Sequence, residues 1–229
     1  MTIQNRRQML GALGAGSALL VLPACATNGL GGLGLPNLSN VLKDLLGLST
    51  ERAFARLVEP DGFLTDSLAR LELPDELSST GNMLAGLLQT PFVRDQLAEQ
   101  VNRAASFAAT AAEPVVEDAI SRLTFADAEA VLRGGPQAAT SVLQGRVGES
   151  LGERMIPALV EGLGIGNADI VTSLLSSATG IDVQRFAGLV GQDASAAIFK
   201  AIGREEADIR ANPEQTNNPA LISALTLLG

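Results

Sequence analysis

The stretch VNRAASFAATAAEPVVEDAISRL, residues 101–123, decides the fold class because its apolar residues recur at helical spacing. Apolar side chains stand three or four positions apart on both sides of Pro114, and polar side chains fill the other faces, as in an amphipathic helix. Pro114 suits the first position of a helix, where a missing N–H group costs little. The pattern therefore predicts two consecutive helices, one beginning near Arg94 and the next near Pro114.

Further helices are predicted on both sides of this stretch. A first helix follows Ser39 or Asn40, either of which is a suitable N-cap. Downstream, Gly134 and Gly135 stop a short helix. A longer helix then opens at Pro136.

The remaining pattern fixes the expected fold class. Pro157 should kink or interrupt the helix that contains it, and two or three more helices follow. No segment shows the apolar–polar alternation of a strand. The sequence predicts an all-α fold, with residues 41–229 forming a single-domain helical bundle of roughly seven to nine helices.

The composition restricts the chemistry that the chain can perform. Its 229 residues include no His and one Cys, which excludes Ser-His-Asp sites and nearly every zinc or haem arrangement. We therefore expect no bound cofactor, no metal site and no catalytic set of residues. The net charge of −9 and the low aromatic content argue against a nucleic-acid partner.

The amino-terminal residues have the three parts of a secretory signal. Arg6 and Arg7 precede an apolar run of about twelve residues, 11–22, which is too short to span a bilayer. The sequence LPAC that ends the signal resembles the lipobox of bacterial lipoproteins. That resemblance implies cleavage between Ala24 and Cys25 and attachment of lipid to the thiol of Cys25.

This signal predicts where the protein is delivered. Residues 1–24 form the signal and residues 25–40 a lipidated Cys followed by a Gly-rich tether. The pair of arginines fits either the twin-arginine export signal or an ordinary secretory signal. Ala26, which directly follows the lipidated Cys, indicates the outer membrane, with the protein facing the periplasm.

Several stretches of the chain resemble one family. They are residues 60–63, 71–77, 102–105, 118–120, 123–128 and 202–213. In these motifs the chain resembles a bacterial lipoprotein family catalogued as domain of unknown function 4197. The resemblance implies a helical architecture and a location in the cell envelope, but it implies no reaction.

One group of polar residues is a candidate site. Asn102 and Arg103 stand in an Ala-rich helix, and Glu117 and Asp118 stand in the predicted helix that follows. One interpretation is a polar cluster that lines a ligand or cation site. The other is an ion pair between helices that fixes their packing.

The carboxyl-terminal helix carries a second group of charges. Arg204–Asp208 and Glu206–Arg210 are spaced for ion pairs within a helix. Adjacent side chains on a helix diverge by about 100°, so Glu205 and Glu206 do not converge on a common site. We expect these two glutamates to lie on a solvated face.

These observations favour a binding protein over an enzyme. The sequence predicts a lipid-anchored envelope protein with a binding or scaffolding role, whose partner is a protein or a small molecule. The alternative is a carboxylate-dependent hydrolase or lyase that uses the polar cluster around Arg103. A cluster that opens into a pocket would favour the enzyme, and a cluster sealed between helices would favour a structural role.

Overall fold

The computed structural model describes residues 37–73, 90–124, 126, 128–163 and 183–228. This part of the chain is 83% helical, with seven α-helices and no strands, which confirms the predicted all-α fold. The helices are α1 (Leu38–Leu57), α2 (Gly62–Thr65), α3 (Pro91–Arg122), α4 (Ala128–Leu132), α5 (Ala138–Gly162), α6 (Val183–Ala211) and α7 (Pro219–Leu228), with a 3₁₀ turn at Pro213–Thr216.

Four long helices form the body of the bundle. They contact one another in the cyclic order α1, α3, α5, α6, and α6 returns to α1. The short helix α2 packs on α3, while α4 and α7 pack against each other and against α1. The core between the long helices is made of Leu, Ala, Ile, Val and Phe side chains, because apolar faces of this kind are stable only when neighbouring helices cover them.

Small residues allow the long helices to approach closely. A Cβ atom on Gly191 of α6 would lie 2.6 Å from the carbonyl oxygen of Gly152 on α5. At the crossing of α3 and α5, a Cβ atom on Gly162 would lie 3.0 Å from the Cα atom of Ala104. The separation of these helices therefore depends on residues that carry little or no side chain.

The structure corrects the expected break at Pro114, because α3 runs through this proline without ending. An interior proline costs a helix roughly 3 kcal/mol, yet Ala112 and Val116 on either side are buried and hold the helix against its neighbours. Pro114 and Thr110, whose carbonyl would have received the missing hydrogen bond, are exposed, so water can satisfy that carbonyl. Pro157 likewise lies inside α5 and does not interrupt it.

The helix starts also differ from the predicted ones. α1 begins at Leu38 with Asn37 as its N-cap, and the Oδ1 atom of Asn37 accepts a hydrogen bond from the backbone N–H of Ser39 at 3.0 Å. α5 begins at Ala138, two residues after Pro136. The side chain that caps the first helix thus stands two or three positions earlier than expected.

The predicted signal and anchor lie outside the described residues, including Arg6, Arg7, Ala24 and Cys25. Among the helices that are described, none combines the length and the apolar character needed to span a bilayer.

Candidate functional site

An open cleft of about 780 Å³ lies where three elements meet. One wall is the end of α1, another is the turn that leads into and out of α2, and the third is the carboxyl-terminal half of α6. The turn and the α6 wall carry two of the stretches that resemble the family. The charged side chains of the cleft are Arg56, Glu59, Asp61, Asp66, Arg204, Glu205 and Asp208.

Asp66 and Arg204 form the most constrained pair in the cleft. The two carboxylate oxygens of Asp66 accept hydrogen bonds from Nη1 and Nη2 of Arg204 at 2.9 and 2.6 Å, the bidentate geometry that arginine favours. The Oδ1 atom of Asp66 also accepts the backbone N–H groups of Leu68 and Ala69. The hydrogen bonds from Arg204 lower the pKa of Asp66 to about 2, so this carboxylate stays ionised near neutral pH.

Glu205 extends this pair into a chain of alternating charges. Its side chain is 7% exposed and lies between two arginines. The Oε1 atom of Glu205 lies 3.4 Å from Nε of Arg204 and also forms an ion pair with Arg56. The expected pairing of Arg204 with Asp208 is therefore replaced by pairing with Asp66 and Glu205. The cleft wall is a fixed network in which each arginine is matched by a carboxylate.

Asn102 anchors the segment that follows α2 and the cleft wall. It is fully buried, its Oδ1 atom accepts the backbone N–H of Leu71 at 2.8 Å, and its Nδ2 donates to the carbonyls of Leu71 and Ala98. One turn further along α3, the hydroxyl of Ser106 accepts the backbone N–H of Phe63 at 3.1 Å. Asn102 therefore holds the segment after α2 in place and does not line the cleft.

Arg103 lies at the edge of the same segment. Its side chain is 47% exposed and forms ion pairs with Asp61 at 3.1 Å and with Glu99 at 2.7 Å. The hydrogen bond to Asp61 is the main cause that raises the pKa of Arg103. Arg103 thus ties α3 to the turn before α2 at a solvated surface.

The predicted cluster of Asn102 and Arg103 with Glu117 and Asp118 does not assemble. Since α3 is continuous, Glu117 stands fourteen residues after Arg103 on one helix, about 21 Å along its axis. Asp118 is exposed and pairs with Arg122 at 2.8 Å. The expectation failed because it required a chain reversal at Pro114.

Glu206 and Arg210 form a second charged group on α6, which is buried and does not line the cleft. The carboxylate of Glu206 accepts the backbone N–H groups of Ala139 and Thr140 at 3.0 and 2.7 Å, the hydroxyl of Thr140 at 2.6 Å, and Nε of Arg210 at 2.8 Å. Arg210 also donates to the carbonyl of Leu132 at 2.8 Å. The predicted pair is confirmed, and it links the end of α4 to the start of α5.

The expectation that Glu205 and Glu206 lie on a solvated face is wrong. They are 5% and 0% exposed. Because adjacent side chains on a helix diverge by about 100°, Glu205 points towards Arg56 on α1 and Glu206 points towards the start of α5. Neighbouring helices therefore cover both sides of α6. A signal was present, because Glu206 stands four residues after Ile202 and three before Ile209, on the apolar face of the helix.

The arrangement of the cleft is suited to recognition. Asp66 is held ionised, the two arginines are paired, and Glu59 and Asp208 present carboxylates at the rim. In the part of the chain that the structure describes, no group of three potential ligands is placed to hold a metal ion.

Comparison with known proteins identifies one family. The model described as "Protein of unknown function (DUF4197)" matches residues 33–225. Neither a curated protein nor a solved structure matches the chain significantly.

Proposed function

We propose that this chain, which belongs to the DUF4197 family, is a lipid-anchored protein of the cell envelope with a binding or scaffolding role in the periplasm. The observation that carries the binding role is the paired charge network of the cleft. Charged groups that are already held by partners form a rigid polar surface, and a rigid surface loses little conformational entropy when it binds.

The same network argues against the hydrolase or lyase alternative. A general acid or base works best when its pKa lies near the operating pH, whereas Arg204 lowers the pKa of Asp66 to about 2. Arg103, the central residue of the hydrolase or lyase hypothesis, is half-exposed and pairs with two carboxylates. The geometry therefore favours recognition over acid–base chemistry.

The envelope location is supported by the sequence before the bundle. The signal at residues 1–24, its arginines Arg6 and Arg7, and the lipobox-like end at Ala24 and Cys25 together fit export and lipidation. One acyl chain holds a protein only marginally on a membrane, and further chains make the anchor stable. Ala26 is the basis for proposing the outer membrane as the final location.

Fractionation of Cys25→Ser tests the anchor, because Ser cannot form the thioether to lipid. We expect the parent in the membrane fraction after a high-salt wash, and the variant soluble or uncleaved. A processed variant that stays with the membranes as firmly as the parent would refute lipid anchoring. Separation of inner and outer membranes tests the final location, and a parent found in the inner membrane would refute it.

Photo-crosslinking in intact cells tests the binding role of the cleft. A photoreactive residue at Thr65 on the cleft should give a discrete adduct, and one at the exposed Gln144 on α5 serves as the control. The double variant Glu59→Lys/Asp208→Lys should abolish the adduct because it reverses the charge of the rim. The binding role is refuted if Thr65 gives no adduct beyond the control.

A further inference from the structure

A second concavity lies on another face of the bundle, between the carboxyl-terminal part of α3 and the middle of α5. Its volume is about 490 Å³. We call it the arginine groove, because arginines stand along its edges above an apolar floor. The edges carry Arg122, Arg146 and Arg154, and the floor includes Val115, Ala119 and Val147.

The charge of the arginine groove is opposite to that of the whole chain. Three arginines and one carboxylate, Asp118, line it, which leaves a net charge of +2 in a protein of net charge −9. Arg122 is paired with Asp118 at 2.8 Å, but this is an exposed pair of a kind that rearranges at little cost. Within the described residues, neither Arg146 nor Arg154 takes part in an ion pair, and both are exposed.

The dimensions of the groove fit a small ligand better than a protein. Arg146 and Arg154 are eight residues apart on α5, or about 12 Å along the helix. A stable protein interface buries about 800 Å² on each partner, which a patch two turns long does not supply. An inorganic anion would contact the arginines but leave the apolar floor uncovered. The groove therefore suits an anion that has an apolar body.

We infer that the arginine groove binds one anionic phospholipid. The guanidinium groups of Arg146 and Arg154 hold the phosphate headgroup, since arginine donates paired hydrogen bonds to phosphate oxygens. The glycerol and the first methylenes lie on the floor at Val115, Ala119 and Val147. This inference does not depend on lipidation of Cys25, so its failure and that of the proposed anchor are separate results.

Native mass spectrometry of the full chain in a nonionic detergent tests the inference. The probes are dioctanoyl phosphatidylglycerol, which is anionic, and dioctanoyl phosphatidylcholine, which has the same chains and no net charge. We expect one phosphatidylglycerol per chain, bound at least about tenfold more tightly than phosphatidylcholine, because the arginines that hold the phosphate repel the positive choline group. The absence of a phosphatidylglycerol adduct, or equal binding of the two lipids, would overturn the inference.

Matched charge variants locate the site. Arg146→Gln/Arg154→Gln should weaken phosphatidylglycerol binding by at least about tenfold. Arg94→Gln/Lys200→Gln removes the same charge from exposed positions outside the groove and should bind like the parent. Equal loss in both variants, no loss in the first, or displacement of the lipid by an equal concentration of inorganic phosphate would overturn the inference.

Discussion

Glu206 and Arg210, one turn apart on α6, form an ion pair whose side chains are 0% and 10% exposed. The pair does more than join two turns of one helix. Glu206 caps the first turn of α5 through Ala139 and Thr140, and Arg210 donates to the last carbonyl of α4 at Leu132. Two charged side chains of α6 therefore fix both ends of the loop between α4 and α5.

Removing Glu206 should destabilise the protein strongly. Glu206→Ala leaves the guanidinium of Arg210 and two backbone N–H groups without their acceptor, and a broken buried pair costs about 3–5 kcal/mol. Urea unfolding measures the loss. Glu153→Ala, at an exposed position on α5, is the control and should stay within about 0.5 kcal/mol of the parent. Similar losses in both variants would contradict this account of the capping network.

Stability should fall in acid as Asp66 becomes protonated. The pKa of Asp66 is lowered from 3.8 to about 2 in the folded protein, so the unfolded chain takes up this proton first. The contribution of Asp66 to the free energy of unfolding is therefore fully present above about pH 4 to 5, and it is lost as the pH falls towards 2.

The variant Asp66→Asn isolates this contribution. It should be less stable than the parent by about 1–2 kcal/mol at pH 7, and the difference should narrow between pH 5 and pH 2. Denaturant unfolding at each pH measures it, with Asp95→Asn at an exposed position of α3 as the control. A difference that does not change across this range would argue against the pairing with Arg204.

Two glycines of α5 should respond to alanine in opposite directions. A Cβ atom on Gly152 would lie 3.0 Å from the carbonyl oxygen of Gly191, whereas a Cβ atom on Gly145 meets nothing within 4 Å. Gly145→Ala should therefore stabilise by about 0.5–1 kcal/mol through helix propensity. Gly152→Ala should destabilise by about 1–3 kcal/mol because α5 and α6 must separate. Thermal melts decide the sign, and two changes of the same sign would refute the close packing.

Asn102 should keep the segment that follows α2 ordered. Asn102→Ala removes the hydrogen-bond acceptor of the Leu71 N–H group and the donor to the Leu71 carbonyl. A buried polar group left without a partner costs about 1–3 kcal/mol. Hydrogen exchange over residues 61–71 should accelerate, while exchange in α5 stays close to that of the parent. Gln100→Ala, exposed on the same helix, should leave the segment protected.

Arg204 and Arg103 should differ in their importance for stability. Arg204 is 27% exposed and binds Asp66 through two hydrogen bonds. Arg103 is 47% exposed and pairs with carboxylates that are 48% and 31% exposed. Arg204→Ala should therefore lower the melting temperature clearly more than Arg103→Ala. A larger loss for Arg103→Ala would show that the pair with Asp61 is the stronger restraint.

The sequence by itself determined the fold class and the features that act within one helix. Helical periodicity, the absence of strand alternation and the stop at Gly134 and Gly135 all depend on residues a few positions apart. The pair Glu206–Arg210 was predictable for the same reason, since it spans a single turn.

Only the tertiary structure decided which polar residues share a site. Asp66 and Arg204 are 138 positions apart, and no local pattern relates them. The burial of Glu205 and the continuity of α3 through Pro114 depend on which helix faces receive neighbours. An interior proline costs a helix roughly 3 kcal/mol, whereas each large apolar side chain that is covered contributes about 1.5–3 kcal/mol, and α3 buries several. Packing therefore outweighed the local preference for a break, and the charged groups met where packing brought them together.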